Sequence, residues 1–569
     1  MSPSGFLRLI YKLRIDLLLI VGLLCFGFFY IRGTPQIAAN LPWDGASYSI
    51  QAVNFLEGHG FVWSAHGRNY APAHPFGTAL MLLPAYIAFG HFIGNGVYAI
   101  LFYTLATSVI LYCIGRTLRG RLTGCFAALF FLGHHNVGIY SRVLMSEIPS
   151  CFLYALVFAL LFVLRRQDRF RLGYLLVGGL IGLALCVRFD SVLLVCAVFL
   201  LEIRKDLKAT MIRCSLLALG ILPWILSLGI YNHSHYGNYR WSGRNYWNES
   251  YPSFSLKYLT ARGQWMPNRF TAEQADRLDG NLIYWPKALV DQADGTLPFG
   301  PTDWSHPKRV YQILILVRAV VGMAGLWFCF AYRKSNLSIR YLLLWFFANL
   351  LLTFFFFLTF HGQEVRYFLR LVPFFSLLDA IGLTWLLDRL WHLTAPAQTE
   401  EKSCLVIFGV SLVAAVAYCS ASSLVYHGDP IWPCYDEMTT ANGVMESNAV
   451  VVTNFDPFRT DYFLIRGTQR TQIPLVKTME IFPGFGLPSY DPSPLIATNA
   501  PNELWDLLNS GRPGYVLLDY FYGAKFTASD IAVLSKNMEL QSLAFINGQD
   551  GKSISPYLIR LKLSSLRIQ

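Results

Sequence analysis

Pro42-Trp43-Asp44-Gly45-Ala46-Ser47-Tyr48 stands just after the first long apolar run of the chain. Glu57-Gly58-His59-Gly60 and Ala73-His74-Pro75-Phe76-Gly77 carry the stretch on to the next run. A carboxylate, three histidines (His59, His66, His74) and Arg68 are therefore held close to a membrane face. Charge is scarce in this chain: charged residues make up 14% of 569, against about 25% in a soluble protein. An acid kept beside an apolar segment in such a chain is hard to explain as solubilising decoration. Asp44 is the first candidate for chemistry.

Apolar residues make up 54% and aromatics 15% of the sequence, and apolar runs of about 20 residues, enough to cross a bilayer, recur along it. This pattern predicts a polytopic α-helical membrane protein and overrides the several soluble domains that length alone suggests. The net charge of +12 comes from basic residues clustered in short loops between apolar runs. That is the positive-inside pattern of membrane proteins, so the charge is no argument for a nucleic-acid partner. Most of the eleven cysteines lie within apolar segments and only Cys434 is clearly in the outer region. Neither a disulfide framework nor a metal-thiolate site is implied. The first apolar run lacks a small-residue cleavage site and reads as a retained anchor.

Arg8, Lys12 and Arg14 precede the first span, about Ile15 to Ile31, and place the N-terminus in the cytoplasm and Asp44 outside. Asp44 to Glu57 is amphipathic enough for a short helix against the membrane, ended by the Gly58-His59-Gly60 turn. Phe76 to Phe92 holds Pro84 and several glycines with no basic residues after it, and is expected to lie in plane or re-enter. Val97 to Gly115 is the second span, followed by Arg116, Arg119 and Arg121. Leu122 to Tyr140 then runs outward and delivers Arg142 and Glu147 to the outer face, and the span after Pro149 returns to Arg165 and Arg166. Leu172 to Val187 and Val192 to Ile203 form a short pair with Arg188 and Asp190 between them, expected to pair with each other. Cys214 to Tyr231 leads to a long outer loop, 232–310, of the length usual for lids and binding loops. Its Asn248-Glu249-Ser250 is a glycosylation sequon by pattern alone. Tyr311 to Tyr332, Tyr341 to Phe360, Leu371 to Leu387 and Ser403 to Val425 complete about eleven spans, which puts the C-terminus outside.

From Tyr426 the composition becomes that of a globular domain. Ala449 to Thr453, Gly514 to Leu518 and Pro556 to Leu561 read as buried strands. Asn502 to Ser510 and Thr527 to Met538 have helical spacing. The expectation is a soluble α/β domain over 426–569, outside the membrane, with no phosphate-binding glycine motif.

An acid soon after the first span, a His74-Pro75-Phe76-Gly77 element opening an in-plane helix, Glu147 after the third span, and Arg366-Tyr367 with Pro373 before a late span stand in a fixed order on one side. Together they resemble the GT-C membrane glycosyltransferases, of the branch that holds aminoarabinose lipid A transferases and protein O-mannosyltransferases. The resemblance covers roughly the first 390 residues. It departs from the family in two places: Asp44 is not followed by a second acid, and His74-Pro75-Phe76 stands where Pro-Pro-Leu is common. It implies a GT-C-like transmembrane catalytic domain over 1–425, with a first outer loop at 32–96. It also implies an enzyme that takes a sugar from a polyprenyl-phosphate carrier at the outer face of a bacterial inner membrane. The acceptor would be a glycan, lipid or protein.

Each candidate residue has a chemical and a bland reading. A glycosyl phosphate already carries a leaving group, so the enzyme must activate an acceptor hydroxyl and offset charge on the departing phosphate. Asp44 is the candidate base, or else a helix N-cap. Glu147 holds an acceptor or a divalent ion, or pairs with Arg142; Arg142 is that partner or a phosphate ligand. Arg366 and Arg370 suit the carrier phosphate through their guanidinium forks, or snorkel at a span end. Tyr367 adds a phosphate hydrogen bond or belongs to the interfacial aromatic belt. Arg68 and His74 meet phosphate or sugar, or simply line a polar loop near headgroups. Cofactors stay open, a divalent metal among them; His134-His135 is a poor metal pair because neighbouring helical side chains diverge. A lipid or glycan transporter or flippase, and an oligosaccharyltransferase or ligase, are the competing functions. A transporter would carry internal repeats and mid-span charges, neither of which stands out.

Overall fold

The computed structural model describes residues 3–32, 43–65, 68–70, 74–91, 93–165, 172–203, 206–236, 239, 308–358, 365–394, 434–453, 460, 464–465, 468–474, 510–518, 538–547 and 554–563. The chain divides into two compact units. One holds Met1–Ala38, Pro75–Tyr231 and Pro252–Asp429; the other holds Ala39–His74, Asn232–Tyr251 and Pro430–Gln569.

The helices in chain order are α1 (Pro3–Arg32), α2 (Trp43–Leu56), α3 (Gly77–Phe89), α4 (Val97–Arg119), α5 (Arg121–Leu132), α6 (His135–Tyr140) and α7 (Glu147–Leu164). They continue as α8 (Gly173–Val187), α9 (Val192–Glu202), α10 (Leu207–Tyr236), α11 (Lys308–Tyr332), α12 (Leu337–Leu358), α13 (Val372–Thr394) and α14 (Cys434–Val444). Among the described residues five helices are long and apolar enough to cross a membrane, within Gly94–Arg119, Glu147–Leu164, Leu207–Ser234, Leu337–Leu358 and Tyr367–Leu390. Four further apolar stretches, Gly77–Phe89, Arg121–Leu132, Gly173–Val187 and Val317–Tyr332, are shorter. The expected eleven spans are thus not reached among the described residues, and the expected span from Ser403 to Val425 lies outside them.

One expectation changes in detail. Leu122 to Tyr140 is not one span but α5 and α6, parted at Gly133-His134, where the backbone leaves the helix and the Gly133 amide still donates to Leu129 at 2.8 Å. Glycine is a poor helix former, and the break is confined to Gly133 and the buried His134 after it. α3 is short: its thirteen residues rise about 20 Å, less than the roughly 30 Å hydrocarbon core.

Glycine seams let the helices of the first unit approach closely. On α11 and α13, a Cβ on Gly325 would stand 2.0 Å from the Leu378 carbonyl oxygen, and one on Gly382 2.0 Å from that of Val321. Gly178 of α8 and Gly220 of α10 form the same kind of seam, where a Cβ on either would stand 2.2 Å from a carbonyl oxygen across it. Small residues are what allow backbones to touch where apolar side chains gain nothing by leaving lipid.

Ion pairs tie the same helices together. Asp16 of α1 meets Arg116 of α4 at 2.7 Å and Arg121 at the start of α5 at 2.8 Å. Glu202 of α9 is met by Arg165 at 2.9 Å and Arg213 of α10 at 3.2 Å. Arg318 of α11 and Asp379 of α13 pair at 3.0 Å, both buried.

In the second unit α2 ends as expected at a turn whose Gly58 and Gly60 have φ of 84° and 86°. A short hairpin, β1 (Trp63–Ala65) and β2 (Arg68–Tyr70), follows. The buried side of α2 includes Ser47, Gln51 and Asn54. Asn54 donates to the Val62 carbonyl at 2.7 Å, and the Trp63 indole to that of Ser47 at 3.3 Å. The rest of the unit is a mixed five-stranded sheet of β3 (Val450–Thr453), β4 (Thr471–Pro474), β5 (Gly514–Leu517), β6 (Met538–Asn547) and β7 (Ile554–Leu563), in order β4-β3-β5-β7-β6. β3 runs parallel to β4 and β5, while β7 is antiparallel to β5 and β6. The three expected strands are β3, β5 and β7; β4, β6 and α14 were not foreseen. Of the two expected helices, 502–509 and 527–537 lie outside the described residues.

Arg470 closes the end of α14: its guanidinium donates to the carbonyls of Asn442, Met445, Glu446 and Leu464 and to the Asn442 side chain. Beside it the Glu446 carboxylate accepts from the Tyr515 hydroxyl at 2.5 Å and pairs with Arg560 at 2.7 Å. Burial pushes the Glu446 carboxyl up, but the Tyr515 hydrogen bond and Arg560 outweigh it and hold it below its ordinary 4.5.

Two predictions follow from the packing. Gly382→Val should lower the melting temperature of the detergent-solubilised chain, by about 2–3 kcal/mol of stability for an overpacked seam. Gly22→Ala, whose Cβ meets nothing within 4 Å, should melt like wild type; equal melting of the two variants would refute the seam. A lowered carboxyl stabilises the fold above the unfolded value and ceases to as pH falls through the folded one. Protection of the β5 and β7 amides in the full chain, measured relative to intrinsic exchange at each pH, should therefore fall below about pH 4.5, less so in Glu446→Gln, and an identical acid response in both would count against this pairing.

Candidate active site

Glu147 opens α7, Arg188 ends α8, Asp190 lies in the single turn Phe189–Ser191, and Arg370 lies in the 3-10 segment Val365–Leu371 ahead of α13. These four elements, remote in sequence, converge within the first unit. Arg188 Nη1 donates to Glu147 Oε1 at 2.7 Å and to the Ser146 hydroxyl at 2.9 Å. Its Nε donates to Asp190 Oδ1 at 3.2 Å. Arg370 Nη2 reaches the other oxygen of Asp190 at 2.8 Å, while its Nη1 donates to the Tyr154 hydroxyl at 3.2 Å and the Asp190 carbonyl at 3.3 Å. The result is a chain of alternating charge: Glu147, Arg188, Asp190, Arg370.

Aromatic rings enclose it. The Arg188 guanidinium lies 5.5 Å from the centre of the Tyr367 ring, which is stacked on Phe357 at 4.8 Å. Arg370 lies 5.6 Å from both Tyr154 and Phe357. The side chains of Glu147 and Asp190 are 1% exposed and that of Arg370 3%, whereas Arg188 keeps 14%. Burial pushes the Asp190 carboxyl up, yet Arg188 and Arg370 outweigh it and hold it below the ordinary carboxylate range.

The sequence candidates are thus partly assembled. Glu147, Tyr367 and Arg370 come together, and Arg188 and Asp190, expected only to pair with each other, are the links between them. Arg370 is drawn inward onto Asp190 and Tyr154, which answers for it better than snorkelling does. Glu147 has Arg188 as a partner, from a segment the sequence did not connect to it. Arg142 is half-buried in the turn before α7. In the second unit His74 is buried, with its ring 5.0 Å from that of Tyr48. Asp44 stands at the start of α2, Arg68 in β2 and Arg366 in the 3-10 segment, but their side chains lie outside the described residues. Tyr154 and Ser146 had been passed over, since neither type stands out in an apolar helix or turn. Among the described residues no three His, Cys, Asp or Glu side chains gather as a metal site; His134 is buried, and the side chain of His135 lies outside the described residues.

Removing one partner of a buried pair leaves the other charge uncompensated, at about 3–5 kcal/mol. Asp190→Asn should therefore destabilise the chain by that order, read as melting temperature, and the double variant Asp190→Leu/Arg370→Met should recover most of it. Additive losses would mean the two are not coupled.

Residues 74–228 match the family model described as dolichyl-phosphate-mannose-protein mannosyltransferase. No curated protein sequence matches. Among solved structures, ArnT from Cupriavidus metallidurans in the apo state is similar with a TM-score of 0.55 and 12% identity, over 99% of this chain and 98% of that one. The same protein bound to undecaprenyl phosphate gives 0.52 and 11%, over 99% of each chain. The oligosaccharyltransferase of Archaeoglobus fulgidus, tethered with an acceptor peptide, gives 0.52 and 13%, over 96% of this chain and 74% of its own. By sequence over residues 74–228, and by fold along almost its whole length, the chain bears the likeness to GT-C membrane glycosyltransferases that its motifs imply.

Proposed function

We propose that this protein is an integral-membrane glycosyltransferase that moves a sugar from a polyprenyl-phosphate-linked donor to an acceptor hydroxyl at the extracytoplasmic face. The observation that carries the reading is the full-length likeness to an ArnT structure bound to undecaprenyl phosphate. The family match supports it, because residues 74–228 include His74, Arg142, Glu147, Arg188 and Asp190.

In this reading Asp44 takes the proton from the acceptor hydroxyl as its oxygen bonds to the anomeric carbon, and the bond from that carbon to phosphate breaks. The polyprenyl phosphate leaves with the electron pair. Glu147 orients the acceptor or holds a divalent ion. Arg366, Arg68, His74, Arg142 and Tyr367 serve the donor phosphate, and Arg370 acts on it indirectly, through Asp190. The domain over 1–425 is catalytic and that over 426–569 extracytoplasmic, with the N-terminus in the cytoplasm of a bacterial inner membrane. An oligosaccharyltransferase is the weaker reading. That structure leaves a quarter of its own length without a counterpart here, whereas ArnT is matched end to end.

The test is mass analysis of envelope glycans from a strain lacking the protein and complemented with wild type or Asp44→Asn. Wild type should restore a sugar-bearing species, and the variant, equally abundant in the membrane, should reduce it by about 10²-fold or more, the usual worth of a general base. Restoration by the variant would remove Asp44 from the chemistry.

A further inference from the structure

The charged chain at the head of α7 holds two guanidinium groups and two carboxylates, so it has no net charge with which to draw a phosphate. Each cation already has an anion at hydrogen-bond distance: Glu147 on Arg188 at 2.7 Å and Asp190 on Arg370 at 2.8 Å. A phosphate can enter this arrangement only by taking a cation from a carboxylate. The four partners differ in how far they can yield. Asp190 is gripped from two sides, by Arg188 and Arg370, and Arg370 is itself held by Tyr154. Arg188 is the most exposed of the four, and its Nη1 serves Glu147 and Ser146 while its Nε serves Asp190. A guanidinium offers its donors as a planar fork, so Arg188 can keep Asp190 on one edge while the other edge changes partner. The Tyr367 ring at 5.5 Å restrains the plane in which that exchange takes place.

We propose that Glu147 is a built-in counter-ion for Arg188 that the donor's phosphate displaces, so that binding of the carrier lipid frees the Glu147 carboxylate for the acceptor. This rests on the lipid-phosphate reading of the site given above. Before the donor binds, Glu147 neutralises Arg188 and is itself neutralised. Once phosphate oxygens occupy Arg188, repulsion between phosphate and carboxylate turns Glu147 away from the shared edge. The acceptor-binding group thus becomes available only when a donor is in place, which imposes an order of binding and guards the activated sugar against water.

The consequence separates this role from a structural one: removing the carboxylate should tighten donor-phosphate binding while impairing transfer. With full-length protein in detergent titrated with undecaprenyl phosphate and followed by native mass spectrometry, Glu147→Gln should bind roughly fivefold to tenfold tighter than wild type, the loss of one competing charge contact. Glu147→Asp, which keeps the charge but withdraws it by one methylene, should bind between the two and decides the matter if the amide variant does not fold. Arg188→Gln should lose at least about tenfold. Unchanged or weaker binding by both Glu147 variants, with wild-type melting, overturns the displacement. If wild type itself binds no undecaprenyl phosphate, the lipid-phosphate reading falls and this inference with it; if wild type binds and neither variant tightens, only the inference falls.

Discussion

A carboxylate carried into a bundle of apolar helices has no water to spread its charge. On insertion scales an ionised residue at the middle of a span costs about 2.5–3.5 kcal/mol. Among the described residues of the first unit five acids, Asp16, Glu147, Asp190, Glu202 and Asp379, most of them near helix ends and turns, are buried and all are met by arginine. In each case a partner comes from another helix or from the turn beside one. Each pair can form only if the helices that carry its members stand next to each other, so the pairs fix neighbours as well as neutralise charge. Arginine suits this better than lysine because it stays ionised when buried and can serve two acceptors at once, as Arg188 and Arg370 do.

Pairing across helices requires backbones close enough for side chains to meet. The seams at Gly178–Gly220 and Gly325–Gly382 provide this where no side chain would fit. Asp379 lies three residues before Gly382, on the same helix as that seam, and Gly322 on α11 faces it with a would-be Cβ 3.0 Å from its carboxylate. Close approach and charge pairing are therefore one contact seen twice.

The sequence exposes the apolar runs, the basic loop ends and the acids at loop junctions because each is a local property. The turn that carries Glu147 just ahead of a long apolar helix, a helix after Phe76, and strands β3, β5 and β7 were legible on those terms. Partnership was not. Arg188 and Asp190 are two apart and look self-sufficient, yet each also binds a residue more than forty or more than a hundred and fifty positions away: Glu147 for one, Arg370 for the other. The basic residues Arg116, Arg121, Arg165 and Arg213 read as topology signals, and their pairing with Asp16 and Glu202 depends on helix adjacency that no local pattern encodes. β4 and β6 escaped for a similar reason: Thr471-Gln472-Ile473-Pro474 is short and ends in proline, and Met538–Asn547 mixes polar and apolar residues as a half-exposed edge strand does.

Under the proposed displacement, the neutral chain of charges also bears on why a site for a phosphate would contain acids at all. An unpaired arginine in this position would bind any phosphate headgroup that drifted past, and a bilayer presents them in great excess over one carrier lipid. Placing Glu147 on Arg188 sets a threshold. A headgroup that offers nothing but its phosphate gains little by displacing a carboxylate that is already well placed. A ligand held simultaneously by its lipid chain, its sugar and its phosphate has further contacts with which to offset the exchange, since specificity is a difference of affinities and a resident competitor lowers the weaker one below occupancy. Asp190, anchored by Arg370 and Tyr154, keeps Arg188 in register while this competition takes place. On this view the buried acids act as discriminators, and Arg370, the most deeply paired of the cations, contributes by holding the pair that touches the ligand, not by touching it.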